Sequence, residues 1–356
     1  MQSKLSVPVE AAVAVKATVP SPLPQNNVIS TEGGPLSRRS GETLYFAVAV
    51  ATVAVTAVHS QEHSDSTAAP TPQPETIKPP LEPHLNILIL SPHRDDAAFS
   101  LALAIETWLN AGHTVTLLNV FTRSLHAPYS DADFTHENDR LSYVSAMRLR
   151  EDELFLQRIT QPLSRARKAH LHMLDLNLKD APIRLRITDD ALCDTPVNPE
   201  DPAIEKIRKA LTRQSELGTL EALVLPAALG SHVDHLTVRE AALPLTNTLP
   251  SAFYEDLPYA ATHPSATADL DALQNATAKI GELLTPILYP TQSESLPEAA
   301  AVDQAKRIAR KRHLALGYAS QIDEEVADAI ANFATRYHAT ERLWVNQQWL
   351  SAFPKS

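Results

Sequence analysis

The chain has 356 residues, a formal net charge of -11 and 44% hydrophobic residues, so it can bury a substantial core. It carries no long run of lysine or arginine, and this acidic balance predicts that nucleic acid is not a partner. Its single cysteine, Cys193, excludes an internal disulfide and a thiolate-based zinc site, so histidine and carboxylate must hold any metal.

Residues 1–84 are predicted to be an N-terminal extension of disordered or linker character, because proline and small polar residues dominate it on both sides of an apolar segment. That segment, 44–58, follows Arg38 and Arg39. It is shorter than the roughly 20 residues of a spanning helix and fits the roughly 7–15 residues of a signal-peptide core. It begins far from Met1, however. We therefore predict a cytoplasmic protein, with export or membrane anchoring through 44–58 as the alternative.

From residue 85 onward, apolar runs of strand length alternate with helical patterns. The first run, "LNILILS" at 85–91, is continuous, as expected of a parallel strand that is covered on both faces. A helical pattern over 95–111 ends at Gly112, which is a C-cap signal, and "TVTLLNVFT" at 114–122 predicts a second strand. This strand–helix–strand unit indicates a right-handed βαβ crossover.

Later segments continue the alternation. The helices are predicted at about 137–160, at 201–217 and from 235, and the strands at 170–176, 220–229 and 251–257. Such alternation is typical of an α/β fold with a doubly wound, mostly parallel sheet and helices on both faces. We therefore assign residues 85–350 to one domain of this class.

Two clusters of histidine and aspartate stand directly after predicted strands. Their members are His93, Asp95 and Asp96 after the first strand and His232, Asp234 and His235 after the strand at 220–229. Ligands of such sheets bind beyond the carboxyl ends of the strands, so the clusters converge if the two strands are neighbours. Two imidazoles and one carboxylate around a divalent ion match a catalytic zinc site, and a second carboxylate can act as base. Adjacent aspartates alone would more simply cap a helix, but capping does not require histidines at both strand ends.

The segments "SPHRDDAAFS" and "SHVDH" resemble the PIG-L/LmbE family of zinc-dependent deacetylases, whose motifs read approximately (A/S)-x-H-P-D-D-E and H-x-D-H. Weaker similarities lie in the R-x-x-E pair Arg150 and Glu153, in "FYEDLPYA" at 253–260 and in "KRHLALGYASQI". The resemblance covers about 85–345. It implies a Rossmann-like fold and an N-acetylglucosaminyl deacetylase, a hydrolase that removes an N-acetyl group from an N-acetylglucosamine-type sugar or glycoconjugate.

The resemblance also implies roles at the matching positions. The implied zinc ligands are His93, Asp96 and His235. Asp95 would be the general base, and a protonated His232 would stabilise the oxyanion or protonate the leaving amine. Asp234 would orient a histidine, as ligand imidazoles commonly require. A site of this composition also accepts other divalent metals such as Fe²⁺.

Three positions depart from the family pattern. Arg94 replaces the usual proline, and Ala97 replaces the usual glutamate. Arg94 is expected at the mouth of the site, where it could pair with an anionic group of the substrate. Gly230 stands where some members have a tyrosine, and Tyr254 is the expected replacement donor. The polar segment 121–139 is a candidate substrate loop.

Two other functions remain open. The chain could be a metal amidohydrolase that acts on another amide, or a non-catalytic carbohydrate-binding module of the same fold. Asp95 discriminates between enzyme and binding module, because a binding module has no need of a free carboxylate beside the metal ligands. The sequence indicates neither the exact substrate nor the oligomeric state.

Overall fold

A computed structural model of the chain describes residues 84–130, 134–290 and 297–353. Apart from His84, the predicted N-terminal extension and its apolar segment 44–58 lie outside the described residues, so their assignment stays a prediction. Within the described ranges, no helix combines the length and the apolar character that a membrane span requires.

The described residues form a seven-stranded sheet in the order β3-β2-β1-β4-β5-β7-β6. The strands are β1 (Asn86–Ser91), β2 (Thr114–Asn119), β3 (Leu171–Asp175), β4 (Ala222–Pro226), β5 (Ser251–Tyr254), β6 (Thr285–Tyr289) and β7 (Glu341–Val345). β3, β2, β1, β4 and β5 are parallel, whereas β7 runs antiparallel to β5 and to β6. The sheet is therefore mostly parallel, with a mixed edge.

Eleven α-helices lie in the described part of the chain. They are α1 (Asp96–Ala111), α2 (Glu137–Thr160), α3 (Arg165–Lys168), α4 (Ala181–Leu185), α5 (Pro202–Glu216), α6 (Val233–Ala242), α7 (Tyr259–Thr262), α8 (Ala266–Lys279), α9 (Pro297–Ala315), α10 (Glu324–Phe333) and α11 (Gln347–Ala352). Short 3₁₀ segments occur at Asp189–Ala191, Leu243–Asn247 and Ala334–Tyr337. The α/β class with a doubly wound, mostly parallel sheet is confirmed.

Burial explains why β1 reads as a continuous apolar run. Ile87, Leu88, Ile89 and Leu90 have no exposed surface, and successive residues of a strand face opposite sides of the sheet. Both faces are therefore covered at this strand. The C-cap prediction at Gly112 is also confirmed, because its φ of 95° is left-handed and favours glycine.

A buried ion pair joins the C-terminal elements to α1. Lys311 of α9 pairs with Glu341 of β7, and both side chains are almost inaccessible. Glu341 also accepts a hydrogen bond at Oε2 from the backbone N–H of Ala104, in the middle of α1 (2.8 Å). Burial raises the pKa of Glu341, although Lys311 and the α1 amides oppose the shift. β7 thus contacts α1 at the middle of the helix.

The order of the strands places a crevice beside β1. From β1 the chain proceeds outward through β2 and β3, and it then returns to β4 on the other side of β1. β1 and β4 pair in parallel, with Leu88 opposite Leu223. The loops that follow these two strands therefore leave the sheet side by side, and this is where ligands bind in doubly wound sheets.

Candidate metal centre and active site

The β1–α1 loop is folded back on itself by its own polar groups. The backbone N–H of His93 donates to Oδ2 of Asp96 (2.6 Å), the first residue of α1. Ser91, at the end of β1, accepts from the N–H of Ala97 (3.2 Å) and donates to the carbonyl of His93 (2.5 Å). These contacts bring the His93 ring and the Asp96 carboxylate to the same side of the loop.

The start of α6 supplies the second half of the site. His232 immediately precedes α6, and its Nδ1 accepts a hydrogen bond from the backbone N–H of Asp234 (3.2 Å), so it caps the helix. Asp234 and His235 lie in the first turn and have no exposed surface. Because β1 and β4 are neighbours, these residues face the β1–α1 loop.

The three predicted metal ligands converge. Oδ2 of Asp96 lies 3.4 Å from Nδ1 of His93 and 3.4 Å from Nε2 of His235. One ligand atom from each of the three residues lies within 4.8 Å of the other two. The set of two imidazoles and one carboxylate therefore has the composition and spacing that a divalent ion requires.

The hydrogen bonds of His235 indicate which nitrogen is free for a metal. Nδ1 lies 2.6 Å from Oδ1 of Asp256, a buried carboxylate that also accepts from the N–H of Leu229 (2.9 Å). A proton on Nδ1 is therefore favoured. Nε2 is buried and has no hydrogen-bond partner among the described residues. Its lone pair is left facing Asp96, and the donor set consequently fits a metal ion.

His93 is oriented in the same way. Its Nε2 lies 3.0 Å from Oδ2 of Asp234, which leaves Nδ1 toward Asp96. Burial lowers the pKa of His93, but the hydrogen bonds to Asp234 and Asp96 outweigh burial and raise it to about 10. Because a metal ion and a proton compete for this ring, we expect metal binding to weaken as the pH falls.

A second group, His93, His232 and Asp234, also has metal-like spacing. Its carboxylate is already engaged, because Asp234 accepts from Arg184 (2.8 Å) and from the N–H of Ala181 (2.9 Å). Asp234 therefore acts as a fixed acceptor behind His93, and the group with Asp96 is the better candidate for the metal.

His232 differs from the protonated residue that the resemblance implies. Burial and the neighbouring rings of His235 and His93 lower the pKa of His232 well below its usual value. Because Nδ1 accepts the hydrogen bond from Asp234 N, the proton of the neutral ring lies on Nε2. His232 is therefore a neutral N–H donor in this structure, which corrects the expected imidazolium.

Asp95 is held by an arginine of α2 that the sequence analysis did not single out. Arg148 of α2 is buried and donates to Oδ1 of Asp95 (3.0 Å). The weaker R-x-x-E similarity at Arg150 and Glu153 falls on exposed positions of α2. The same spacing occurs two residues earlier, where Glu151 accepts from the N–H and hydroxyl of Ser320. A search for polar residues on the buried face of α2 would have identified Arg148 and Glu151 instead.

Arg94 does not lie free at the mouth of the site. It is buried, and its guanidinium pairs with Asp152 of α2 and with Asp175 at the end of β3 (2.6 Å). Asn119 donates to Asp152 as well (3.2 Å). The expectation that Arg94 pairs with an anionic substrate group is therefore wrong, because two carboxylates of the protein already neutralise it.

The expectation that Tyr254 donates to the substrate is wrong. It is fully buried, and its hydroxyl donates to the carbonyl of Leu90 inside the sheet (3.1 Å). Tyr259 lies beside the site instead, with its ring centroid 5.7 Å from that of His232. A Cβ atom at Gly230 would lie 2.7 Å from Cβ of Tyr259, so the tyrosine occupies the space beside this glycine.

The site opens into a cavity of about 250 Å³. Ser124 and His126 of the candidate substrate loop line it, together with Asp180 after β3 and Gln321 before α10. Sequence reasoning missed Asp180, although it follows a predicted strand in the same way as His93. Burial raises the pKa of Asp180.

No family model matches the chain. A 2'-N-acetylparomamine deacetylase of Streptomyces fradiae is 31% identical over 180 residues, which are 49% of this chain and 57% of that protein. The chain thus matches little more than half of that relative's length.

Two of the solved structures that the chain matches have names that describe deacetylases. One is a deacetylase of the teicoplanin biosynthetic pathway, with a TM-score of 0.49, 20% identity and coverage of 73% of this chain and 97% of that one. The other is N,N'-diacetylchitobiose deacetylase from Pyrococcus horikoshii, with a TM-score of 0.41, 15% identity and coverage of 74% and 85%. Over the 49% of the chain that matches the Streptomyces protein, the sequence is similar to that of a deacetylase.

Proposed function

We propose that the chain is a metal-dependent deacetylase that hydrolyses the N-acetyl group of an amino sugar or glycoconjugate. The observation that carries the proposal is the buried, unpartnered Nε2 of His235, which faces Asp96 and the Nδ1 side of His93. The sequence similarity to a 2'-N-acetylparomamine deacetylase supports the reaction type.

His93, Asp96 and His235 would hold the metal, and zinc is the ion we propose because it favours sets of imidazole and carboxylate. When bound, such an ion polarises a carbonyl group and lowers the pKa of water to about 7. Asp256 and Asp234 would fix the two imidazoles from behind, since each accepts a hydrogen bond from the ring nitrogen that the metal does not use.

Asp95 would accept the proton of the attacking water. Arg148 donates to its Oδ1, so the carboxylate is held in place and Oδ2 is left to receive the proton. Both residues line the cavity that the acetamide would enter. The Asp95 carboxyl would then return the proton to the departing nitrogen, so that acetate and a free amine are the products.

His232 would stabilise the negative charge that develops on the carbonyl oxygen. Its ring lies 5.0 Å from the rings of His93 and His235, centroid to centroid, and it lines the cavity. A neutral imidazole that donates through Nε2 is sufficient for this role. Its N–H group is already held in place, so little free energy is needed to reorient it in the transition state.

Acetate release from a panel of N-acetylated amino sugars tests the proposal, with the metal content measured on the same preparation. We expect about one metal ion per chain and acetate release by the wild type. The variant Asp95→Asn should keep the metal and lose at least about a hundredfold in kcat, as expected for a general base. Asp271→Asn, an exposed carboxylate of α8, is the matched control and should behave as the wild type.

Three results would contradict parts of the proposal. A protein without metal after metal-replete purification would exclude the centre. A metal-loaded protein that releases no acetate but hydrolyses another amide would change the substrate class. Binding of sugars without hydrolysis would favour the carbohydrate-binding module.

A further inference from the structure

Arg184 of α4 connects the proposed metal centre to elements that hold none of its ligands. Its Nη1 donates to Oδ1 of Asp234 (2.8 Å), and its Nε donates to Oδ2 of Asp201 (2.8 Å). Asp234 lies in the first turn of α6, and Asp201 precedes α5 as its N-cap. One guanidinium group therefore joins α4 to the starts of α5 and α6.

The guanidinium group of Arg184 is fixed by further contacts. It donates through Nη1 to the carbonyl of Lys179 (3.1 Å). Its Cζ atom lies 4.3 Å from the centroid of the Phe121 ring, which is fully buried. Arginine stacks on aromatic faces and binds carboxylates through a planar fork, whereas lysine presents a single point charge. The fold thus determines where the donor beside Asp234 lies.

Asp234 uses its two carboxylate oxygens for different contacts. Oδ2 lies 3.0 Å from Nε2 of His93 and accepts from the N–H of Ala181 (2.9 Å), whereas Oδ1 accepts from Arg184. The terminal torsion of an aspartate is broad, so a bond to only one oxygen leaves the carboxylate free to rotate. Because Arg184 binds the other oxygen, it fixes the direction in which Asp234 faces His93.

The second supporting carboxylate of the metal centre has no such partner. Asp256 accepts from the N–H of Leu229 and pairs with His235, and within the described part of the chain no lysine or arginine forms an ion pair with it. Asp234 and Asp256 are equally buried, with no exposed surface. Burial of a carboxylate behind a ligand ring therefore does not by itself require an arginine here.

The backbone that carries Arg184 is held in a costly conformation. Arg186, which ends α4, has φ 59° and ψ 44°, in the left-handed region that favours glycine. Such residues persist where the surrounding structure fixes them, and they are frequent at functional sites. α4 has only five residues and gains little stability from its own hydrogen bonds. Two of the contacts that hold it, from Ala181 and Arg184, go to Asp234.

We propose that Arg184 is a positioning residue of the metal centre. It raises the affinity for the metal by fixing Asp234, which in turn orients the His93 ring with Nδ1 toward Asp96. Arg184 is not among the residues that line the cavity, so it acts through Asp234 and not on a substrate. The inference rests on the proposed metal-dependent function and adds to it a residue that neither sequence motif contains.

Competition with a chromogenic chelator on the full chain measures the dissociation constant for Zn²⁺ without turnover. We expect Arg184→Met to raise this Kd by about tenfold, since replacing groups that orient metal ligands typically costs about 10–100-fold in affinity. Arg184→Lys restores a charge and should recover part of the affinity, although an ammonium group cannot match both carboxylates. Arg184→Gln replaces Arg184→Met if circular dichroism shows that the latter does not fold.

Arg310→Met is the matched control. Arg310 is likewise a partly buried arginine that pairs with a carboxylate, that of Glu106, but it lies on α9 and outside the metal centre. Urea unfolding should show a loss of stability in both variants, whereas only Arg184→Met should weaken zinc binding. Equal losses of zinc affinity in the two variants would mean that Arg184 acts through overall stability, and the inference would be wrong.

A double-mutant cycle with Asp234→Ala tests the route of the effect. If Arg184 acts through Asp234, adding Arg184→Met to Asp234→Ala should change the Kd for zinc by less than about twofold. Additive effects of the two substitutions would overturn the inference. A wild type that binds no zinc would refute the metal centre and the inference together. Zinc binding with the expected effect of Arg184→Met, but without acetate release, would refute the deacetylase reaction alone.

Discussion

At the scale of single residues, each histidine of the proposed metal centre is backed by a carboxylate. Asp234 stands behind His93, and Asp256 stands behind His235. The first of these carboxylates belongs to the second motif, so the sequence indicated it. Asp256 follows β5, and only the folded chain brings it against α6. The sequence therefore predicted the three ligands but not the full support of the two rings.

Replacing Asp256 tests this support. We expect Asp256→Ala to weaken metal binding by about 10–100-fold, because the His235 ring loses the acceptor that fixes its tautomer. Asp256→Asn retains an acceptor and should lose less. Competition with a chromogenic chelator measures the affinity, and circular dichroism verifies that each variant is folded. Affinity equal to that of the wild type in both variants would show that Asp256 does not orient the ligand.

Arg148 offers a test of the general base with a neighbouring control. Arg148→Met removes the group that holds Asp95, and we expect kcat to fall by up to about a hundredfold, since a displacement near 1 Å has effects of this size. The metal content should stay the same. Arg150→Met alters an exposed position of the same helix and should not affect kcat. Equal losses in the two variants would exclude a specific role for Arg148.

At the scale of elements, the β1–α1 loop is tied to both α2 and β3 through Arg94. In the PIG-L/LmbE pattern this position is a proline, whose ring would fix the backbone φ angle of the loop. Arg94 instead holds the loop through its ion pairs with Asp152 and Asp175. Burial raises the pKa of Asp152 to about 7, while Arg94 opposes this shift. The loop therefore depends on a buried ion pair that joins three elements.

Arg94→Met is expected to destabilise the fold. It leaves Asp152 and Asp175 without their cation, and breaking a buried pair in this way typically costs about 3–5 kcal/mol. Urea unfolding followed by tryptophan fluorescence measures the change. Arg165→Met, at an exposed position of α3, is the control and should stay within about 0.5 kcal/mol of the wild type. An unchanged midpoint for Arg94→Met would mean that the pair contributes nothing to stability.

The elements that the sequence predicted are those whose pattern is decided locally. The unit from β1 to β2 has long apolar runs and a glycine C-cap, and it was predicted almost residue for residue. β6 and β7 were not predicted. β6 is a partly exposed edge strand that contains Pro286, and such strands lack a clear alternation. Nine of the 19 residues of α9 are charged or polar, and only its C-terminal part was noted in the sequence, as a similarity to a family helix.

At the scale of the whole molecule, the site forms because the strand order reverses beside β1. The two motifs lie about 140 residues apart, and the rule for doubly wound sheets predicted that they meet if β1 and β4 are neighbours, which the strand order confirms. The cavity wall could not be predicted in this way. It combines the loop after β2, the segment after β3 and the segment before α10, and their proximity results from packing rather than from any local pattern.

The ion pair between Lys311 and Glu341 connects α9 to the sheet, and its removal should affect the stability of the whole fold. We expect Lys311→Met to lower the free energy of unfolding by about 3–5 kcal/mol, since Glu341 remains buried without its cation. The double variant Lys311→Met/Glu341→Met should be less destabilised than Lys311→Met. Calorimetric unfolding of the two variants measures this difference. A double variant that is less stable than Lys311→Met would show that the backbone contact with α1 matters more than the charge.

The bond between Glu341 and the middle of α1 also concerns the order in which the protein is made. α1 begins with the proposed ligand Asp96, and Glu341 of β7 is synthesised 237 residues after Ala104 of α1. The backbone N–H of Ala104 meets Glu341 only then. We therefore expect the metal centre to reach its final geometry only after β7 has been synthesised, and a nascent chain released before residue 341 to bind metal weakly, although it already contains every proposed ligand.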